Sequence, residues 1–222
     1  MISIIVLNWN GKGVIDRCLL SIYREMYKGK KHRLLVIDNG STDNSLDKYW
    51  IDKIVLHRNM GYAYANNVGI VNTIGDIILL LNNDTEISPN CLSEIEKFMQ
   101  QNPLVGIAQC FIYPDPCYYR LKWGCIPYAN IGGRIDYCSG AAMVIRREVL
   151  LDIGLFDEGL LYFEDVKLSL MAKDKGWDIE VIPNAKVKHI GGHTMRNMYS
   201  KLKLKLIVNI SRLKFLLWRI TK

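Results

Sequence analysis

The chain has 222 residues, of which 50% are hydrophobic, and a formal net charge of +7. Its length suits one large α/β domain, alone or with a tail. No apolar run approaches the roughly 20 residues that span a bilayer, and the run at residues 1–7 is too short and lacks the basic flank of a signal peptide. We therefore expect no membrane-spanning helix and a first strand at residues 2–7.

The positive charge is concentrated in the C-terminal part of the chain. Residues 181–222 carry ten Lys or Arg and no Asp or Glu, so removing them from the total of +7 leaves −3 for residues 1–180. Such an asymmetry indicates an anionic partner for the tail, either a membrane or a nucleic acid.

The six cysteines form no C-x-x-C pair. We expect reduced thiols in the core of a cytosolic protein, because disulfide frameworks belong to secreted domains. A zinc site is disfavoured, although one set of cysteines could be considered for it: Cys110, Cys117, Cys125 and Cys138.

The first half of the chain alternates between apolar runs and segments of helical spacing. Strands are predicted at 2–7, 34–37, 54–56, 77–81 and 105–109. Helices are predicted after 13, after the possible caps Ser41 and Thr42, after Gly61, and from about 88 to 101. This alternation predicts an α/β fold with a mostly parallel central sheet flanked by helices.

The segment 77–81 organises this prediction. Its five apolar residues are typical of a central strand that is buried on both faces, and the polar residues Asn82, Asn83 and Asp84 follow at its carboxyl end. Ligands of open α/β sheets bind at that edge, and one or two carboxylates commonly hold Mg²⁺ there together with substrate phosphates. The alternative is a polar turn that caps the next helix.

Further polar residues follow the other strands. Asp38 could accept the imino N–H of a uracil or thymine ring, or it could be a turn aspartate bonded to local N–H groups. Asn59 precedes a helix whose N-terminus could attract phosphate, or it could be a simple turn residue. The loop at 8–13 matches neither a dinucleotide fingerprint nor a Walker loop.

The second half of the chain is less regular. Residues 111–136 are rich in proline, glycine and aromatic residues and are interpreted as a long functional loop, and 137–146 is predicted to be a strand. Glu164 and Asp165 then begin a helix that ends near Gly176. The helix dipole alone explains two carboxylates at this position, but beside a nucleotide crevice one of them would be a candidate general base.

Eight segments in order resemble the family-two glycosyltransferases of GT-A fold, and in particular their rhamnosyltransferase-like branch. The resemblance covers roughly residues 1–195. The segments are N-W-N-G at 8–11, V-I-D-N-G-S-T-D at 36–43, N-M-G-Y-A at 59–63, L-N-N-D-T-E-I at 81–87, S-G-A-A-M-V-I-R-R-E at 139–148, G-L-F-D-E at 154–158, F-E-D-V at 163–166 and H-I-G-G-H-T at 189–194.

The resemblance implies an inverting transfer of a sugar from a UDP- or dTDP-sugar to a hydroxyl of a glycan or lipid-linked acceptor, in the synthesis of cell-envelope polysaccharide or glycoconjugate. Asp84 would bind Mg²⁺ or Mn²⁺ as the one carboxylate of a degenerate D-x-D motif, with His189, or alternatively His193, completing the metal shell. Asp165 would be the general base with Glu164 beside it.

The resemblance also implies a nucleotide-sugar pocket, in which Asp38 would contact the base. The other residues assigned to it are Asn8, Asn10, Asn59, Asn67 and Asn83. Lys167 and Met171 depart from the family pattern, which usually has Asp and Arg there. Two other classes stay open: a non-catalytic nucleotide-sugar-binding accessory subunit on the same fold, and a nucleotidyltransferase.

The tail at 196–222 is predicted to be a basic amphipathic helix. Its apolar residues recur at helical spacing: Leu202, Leu206, Leu213, Leu216, Leu217 and Ile220. This pattern favours the interface of an anionic membrane over nucleic acid, and hence a cytoplasmic protein peripheral to the inner face of the cell membrane. The alternative is a helix that packs its apolar side on the catalytic domain.

Overall fold

The computed structural model describes residues 1–28, 31–114, 117–119, 125–127, 133–190 and 201–221. Its elements, in chain order, are β1 (Ile2–Asn8), α1 (Ile15–Met26), β2 (Arg33–Asp38), β3 (Lys53–Val55), α2 (Tyr62–Val71), β4 (Ile77–Asn82), β5 (Thr85–Ile87), α3 (Cys91–Gln101), β6 (Val105–Tyr113), β7 (Cys117–Tyr119), β8 (Cys125–Pro127), β9 (Ala142–Arg146), α4 (Arg147–Ile153), α5 (Glu164–Asp174), β10 (Asp178–His189) and α6 (Lys201–Ile220).

One eight-stranded sheet carries the fold, with strand order β3-β2-β1-β4-β9-β6-β10-β5. The pairings β3–β2, β2–β1, β1–β4 and β6–β10 are parallel. Strand β9 is antiparallel to both of its neighbours, and β5 is antiparallel to β10. The prediction of an α/β fold with a mostly parallel sheet is confirmed, and the antiparallel strands β9 and β5 make the sheet mixed.

Residues 77–81 of strand β4 are all apolar, and helices cover both faces of the sheet. The side chains of β4 alternate between two cores: Leu79 and Leu81 belong to the core shared with α1 and α3, whereas Ile78 and Leu80 belong to the core shared with α2, α4 and α5. Both cores are continuous across the sheet, so the strand ends form a rigid edge on which side chains can be placed.

Three predicted elements differ from the structure. Only residues 142–146 of the predicted strand 137–146 are extended, and 137–141 form a loop. No helix follows Ser41 and Thr42 in the described segment 31–60, where turns occur instead. The predicted loop 111–136 begins later, because β6 continues to Tyr113, and it contains the hairpin β7–β8.

Cys18, Cys91, Cys110 and Cys138 are buried, so their predicted location in the core is confirmed. In the described part of the chain, none of the helices has both the length and the apolarity required to traverse a bilayer.

Candidate active site

Asn8 lies at the centre of a buried polar cluster where β1, β2 and β4 end. Its Nδ2 donates to Oγ of Ser41 at 3.2 Å and to Oγ of Ser45 at 3.0 Å, and its Oδ1 accepts from Nδ2 of Asn83 at 2.9 Å. Parallel pairing aligns Asn8 with Asp38 on β2. The sequence therefore places Asn8, Asp38 and Asn83 at one edge because their strands end together.

Asp38 is buried and already satisfied by its own turn. One carboxylate oxygen accepts from the backbone N–H of Ser41 at 3.0 Å and from its hydroxyl at 2.5 Å. The same hydroxyl accepts from the backbone N–H of Asn10 at 2.9 Å. Ser41, predicted as a helix cap, instead joins the first two loops of the site.

Asn10 and Asn59 shape loops around this cluster. Asn10 has a left-handed backbone with φ of 48°, and its Oδ1 accepts from the N–H of Thr42 at 2.8 Å. Oδ1 of Asn59 accepts from the N–H of Gly61 at 3.0 Å and from Nδ2 of Asn39 at 3.1 Å. The first of these bonds closes a turn directly before α2.

Asn67 makes contacts within the protein that explain it without a ligand. Its Nδ2 donates to the carbonyl of Phe156 at 2.9 Å and to the carboxylate of Glu158 at 2.9 Å, and its Oδ1 accepts from the N–H of Phe156 at 3.0 Å. The buried amide thus ties α2 to the turn before α5, and we leave Asn67 out of the nucleotide pocket.

Asp84 and His189 come together although more than a hundred residues separate them. Antiparallel pairing of β5 with β10 sets Thr85 opposite His189, and the N–H of Ile190 donates to the carbonyl of Asp84 at 3.1 Å. As a result, Oδ1 of Asp84 and Nε2 of His189 lie 3.2 Å apart. Asp84 is buried, whereas His189 is partly exposed. His193 lies outside the described residues.

This pair fits a divalent cation. Ligands at about 2.1 Å in octahedral geometry have donor atoms roughly 3 Å apart, close to the observed spacing of 3.2 Å. A carboxylate oxygen and a neutral imidazole nitrogen are both suitable donors. In the described segments these two residues have no third His, Cys, Asp or Glu with them as a ligand group, so the remaining ligands would be water and substrate oxygens.

Glu164 and Asp165 occupy the first turn of α5 in different surroundings. Glu164 is buried, and its Oε2 has no hydrogen-bond partner among the described residues. Asp165 is half-buried, and its two oxygens accept from the N–H of Gly140 at 3.0 Å and of Val166 at 2.8 Å. The preceding Phe163 has a left-handed backbone with φ of 69°, a strained conformation that turns the chain into the helix.

The environment separates the roles of the two carboxyl groups. Burial, together with the charge of Asp165, raises the pKa of Glu164 from 4.5 to about 8. Burial also raises the pKa of Asp165, but the N–H groups of Gly140 and Val166 oppose that rise. The N–H contacts favour the ionised form of Asp165, whereas Glu164, which lacks them, is the carboxyl group that favours its neutral form.

A loop before β9 connects Asp165 with the end of β4. While Gly140 donates to Asp165, the carbonyl of the adjacent Ala141 accepts from the N–H of Asn82 at 3.1 Å. The carbonyl of Gly140 also accepts from the hydroxyl of Tyr62 at 2.7 Å. A Cβ at position 140 would collide with Tyr62, so the close approach requires glycine.

Two buried residues that sequence reasoning missed hold this loop. Gln109 donates to the carbonyl of Ala142 at 2.8 Å and accepts from the N–H of Ser139 at 2.5 Å. Ser169 accepts from the N–H of Cys138 at 3.1 Å and donates to the carbonyl of Asp165 at 2.8 Å. Gln109 could have been identified from the sequence, because it lies inside the otherwise apolar run 105–110 and a buried amide requires hydrogen-bond partners.

The model of the family described as glycosyl transferase family 2 matches residues 3–154, and that described as glycosyltransferase like family 2 matches residues 118–206. The chain belongs to glycosyl transferase family 2. A glycosyltransferase of Haemophilus influenzae is 34% identical over 145 residues, covering 62% of this chain and 55% of the relative. An N-acetylglucosaminyltransferase of Sinorhizobium fredii is 27% identical over 199 residues, covering 77% and 48%.

The fold is that of GT-A glycosyltransferases. A mannosyltransferase from Pyrobaculum calidifontis, solved in complex with GDP-Man and Mn²⁺, matches with a TM-score of 0.71 at 18% identity, covering 87% of this chain and 58% of that one. The predicted family and fold are confirmed, while the rhamnosyltransferase-like branch stays a prediction. The chain spans about half the length of the curated relatives that it matches.

Proposed function

We propose that this chain transfers a sugar, with inversion, from a nucleoside diphosphate sugar to a hydroxyl group of a glycan or lipid-linked acceptor. The contact between Asp84 and His189 carries the proposal, because a carboxylate and an imidazole at this spacing suit a divalent cation, and the loop before β9 links the same edge of the sheet to Asp165. The matching mannosyltransferase, whose structure contains GDP-Man and Mn²⁺, supports the same substrate class.

Asp84 and His189 would hold Mg²⁺ or Mn²⁺ against the diphosphate. When bound, such an ion stabilises the negative charge that develops on the leaving diphosphate. The cluster of Asn8, Asp38 and Asn83 lies at the same edge, beside Asp84 in sequence, and is the proposed site for the nucleoside. UDP- and dTDP-sugars are the proposed donors.

Asp165 is the proposed base. The acceptor oxygen attacks the anomeric carbon from the face opposite the diphosphate, forming the new glycosidic bond while the bond to the diphosphate breaks. The acceptor proton passes to the carboxylate of Asp165, and the nucleoside diphosphate leaves with the bonding electron pair. Attack from the opposite face inverts the anomeric configuration.

The test compares Asp165→Asn with Asp174→Asn, a matched change at the other end of α5. Nucleoside diphosphate release would be measured from UDP-N-acetylglucosamine and dTDP-rhamnose, with and without an envelope lipid extract, and donor affinity by calorimetry. We expect Asp165→Asn to lower turnover by about 10²- to 10⁴-fold with donor affinity unchanged, because a general base contributes that much. Asp174→Asn should behave as the parent protein.

The alternative classes give different results in the same assay. An accessory subunit would bind the nucleotide sugar without releasing nucleoside diphosphate under any condition. A nucleotidyltransferase would instead release pyrophosphate from a nucleoside triphosphate and a sugar phosphate. Either result, or full turnover of Asp165→Asn, would reject the proposal.

A further inference from the structure

One face of helix α6 packs on α5, the helix that begins with Glu164 and Asp165. Phe215 is buried against Val166 and Leu170 of α5, and its ring stacks on Phe163 at 5.6 Å. The buried Ser211 accepts from the N–H of Leu161 at 3.3 Å. Lys167 of α5 lies 4.9 Å from the ring of Trp218, which adds a cation–π contact.

The opposite face of α6 leaves a continuous apolar stripe in solvent. Its members follow each other at spacings of three and four residues, so they lie in one line along the helix. Their exposed fractions are high: Leu206 60%, Ile210 48%, Leu213 60%, Leu217 54% and Ile220 79%. The alternative, in which α6 packs these leucines on the domain, does not hold for the described residues, since Ser211 and Phe215 form the packed face.

Basic side chains border the stripe. Arg212 and Arg219, two helical turns apart, are exposed on one side of it, and Lys214 lies on the other side, where it donates to the carbonyl of Gly159 at 2.9 Å. Residues 181–222 contain no acidic side chain. Such a surface complements an anionic lipid bilayer. The apolar side chains would contact the acyl chains, and the flanking cations would contact the phosphate groups.

We propose that the stripe from Leu206 to Ile220 inserts into the interface of an anionic lipid bilayer, with Arg212 and Arg219 at the level of the phosphate groups. A second copy of the chain fits less well, because packing stripe on stripe would bring the arginines of both copies together without any acidic residue to pair with them. Nucleic acid would leave the apolar stripe uncovered.

The packing of α6 on α5 links the proposed lipid-binding stripe to the candidate active site. Since Phe215 stacks on Phe163, the residue directly before Glu164, the helix that meets the bilayer also supports the turn that presents Asp165. Leu161, 52% exposed, lies between Ser211 on the packed face of α6 and Gly61 at the start of α2. Binding of α6 to the bilayer would therefore hold the helix that carries Asp165 at the membrane that contains a lipid-linked acceptor. Only this last step depends on the proposed function.

The experiment is co-sedimentation of the full chain with vesicles of phosphatidylcholine, alone or with 30% phosphatidylglycerol, at low and high salt. We expect binding to the anionic vesicles at low salt and a loss of more than about ten-fold in affinity for Leu213→Glu combined with Leu217→Glu. Leu151→Glu is the matched control, because Leu151 is 84% exposed on another helix, α4. It should bind as the parent protein does.

Far-UV circular dichroism would establish that each variant folds. No sedimentation of the parent protein, or equal sedimentation of the double variant, would overturn the proposal. A dimer in light scattering that the double variant converts to a monomer, without vesicle binding, would assign the stripe to a second copy instead. Asp165→Asn should sediment normally, so failure of the lipid surface and failure of the catalytic proposal remain distinguishable.

Discussion

Replacing Glu164 by glutamine should change how the stability of the protein depends on pH. The rise of its pKa from 4.5 to about 8 means that the folded protein holds a proton that the unfolded chain has released between those values. Stability from this group is therefore fully present below pH 4.5 and is lost as the pH rises through 8. The whole shift corresponds to about 5 kcal/mol, at 1.36 kcal/mol per pKa unit.

Most of this loss of stability falls within a pH range in which unfolding can be measured. Between pH 5 and pH 9 the parent protein should lose about 4 kcal/mol more than Glu164→Gln does, because glutamine cannot ionise. Urea unfolding of both proteins at pH 5, 7 and 9 would measure the difference. Glu148→Gln, at an exposed carboxylate of α4, is the control and should follow the parent protein.

The same variant separates the roles of the two carboxyl groups. Because Glu164 is neutral near pH 7, Glu164→Gln should keep turnover within about ten-fold of the parent value, whereas Asp165→Asn should not. Asp165→Asn should also reduce the pH dependence of stability, since it removes one of the two causes of the Glu164 shift. Parallel stability curves for the parent protein and Glu164→Gln would refute the assignment of a buried, protonated Glu164.

Two further predictions concern the metal site and the loop before β9. Asp84→Asn and His189→Ala should each raise the Mn²⁺ concentration needed for half-maximal turnover, measured by titration after treatment with chelator; full activity in excess chelator would remove both residues from that role. Gly140→Ala should cost about 1–3 kcal/mol in urea unfolding, because its Cβ would collide with Tyr62. Tyr62→Phe in the same background removes the nearest oxygen and should recover part of that loss; no recovery would indicate another source of strain.

The sequence was most informative for the buried central strand, because burial on both faces requires an unbroken run of apolar residues. The run 77–81 is typical of a strand covered on both faces, and Asn82 to Asp84 were predicted at the ligand edge because parallel strands end together. Asp84 and His189 could be paired only through the family resemblance, since their contact depends on the antiparallel pairing of β5 with β10. That pairing joins segments distant in the chain, and local propensity carries no information about it.

Strand β10 was missed for a physical reason. It contains Pro183 and a register shift between Ile182 and Lys186, which interrupt the alternation that identifies a strand. The packed face of α6 was missed because the apolar stripe of an amphipathic helix is normally the face that is buried on the domain. Here Ser211 and Phe215, which no hydrophobic pattern selects, make the contact.

The antiparallel insertion of β9 has a consequence for how the family could diversify. Because β9 runs against β4 and β6, the chain leaves β6 and enters β9 at the same edge of the sheet, and the entry to β9 contacts Asp165 and Asn82. Because Ile135 and Cys138 belong to the core, the connection would be lengthened between Tyr113 and Gly133, and doubling a loop costs only about 0.6 kcal/mol. New acceptor-binding surface could thus be acquired by insertion at this single position without repacking either core.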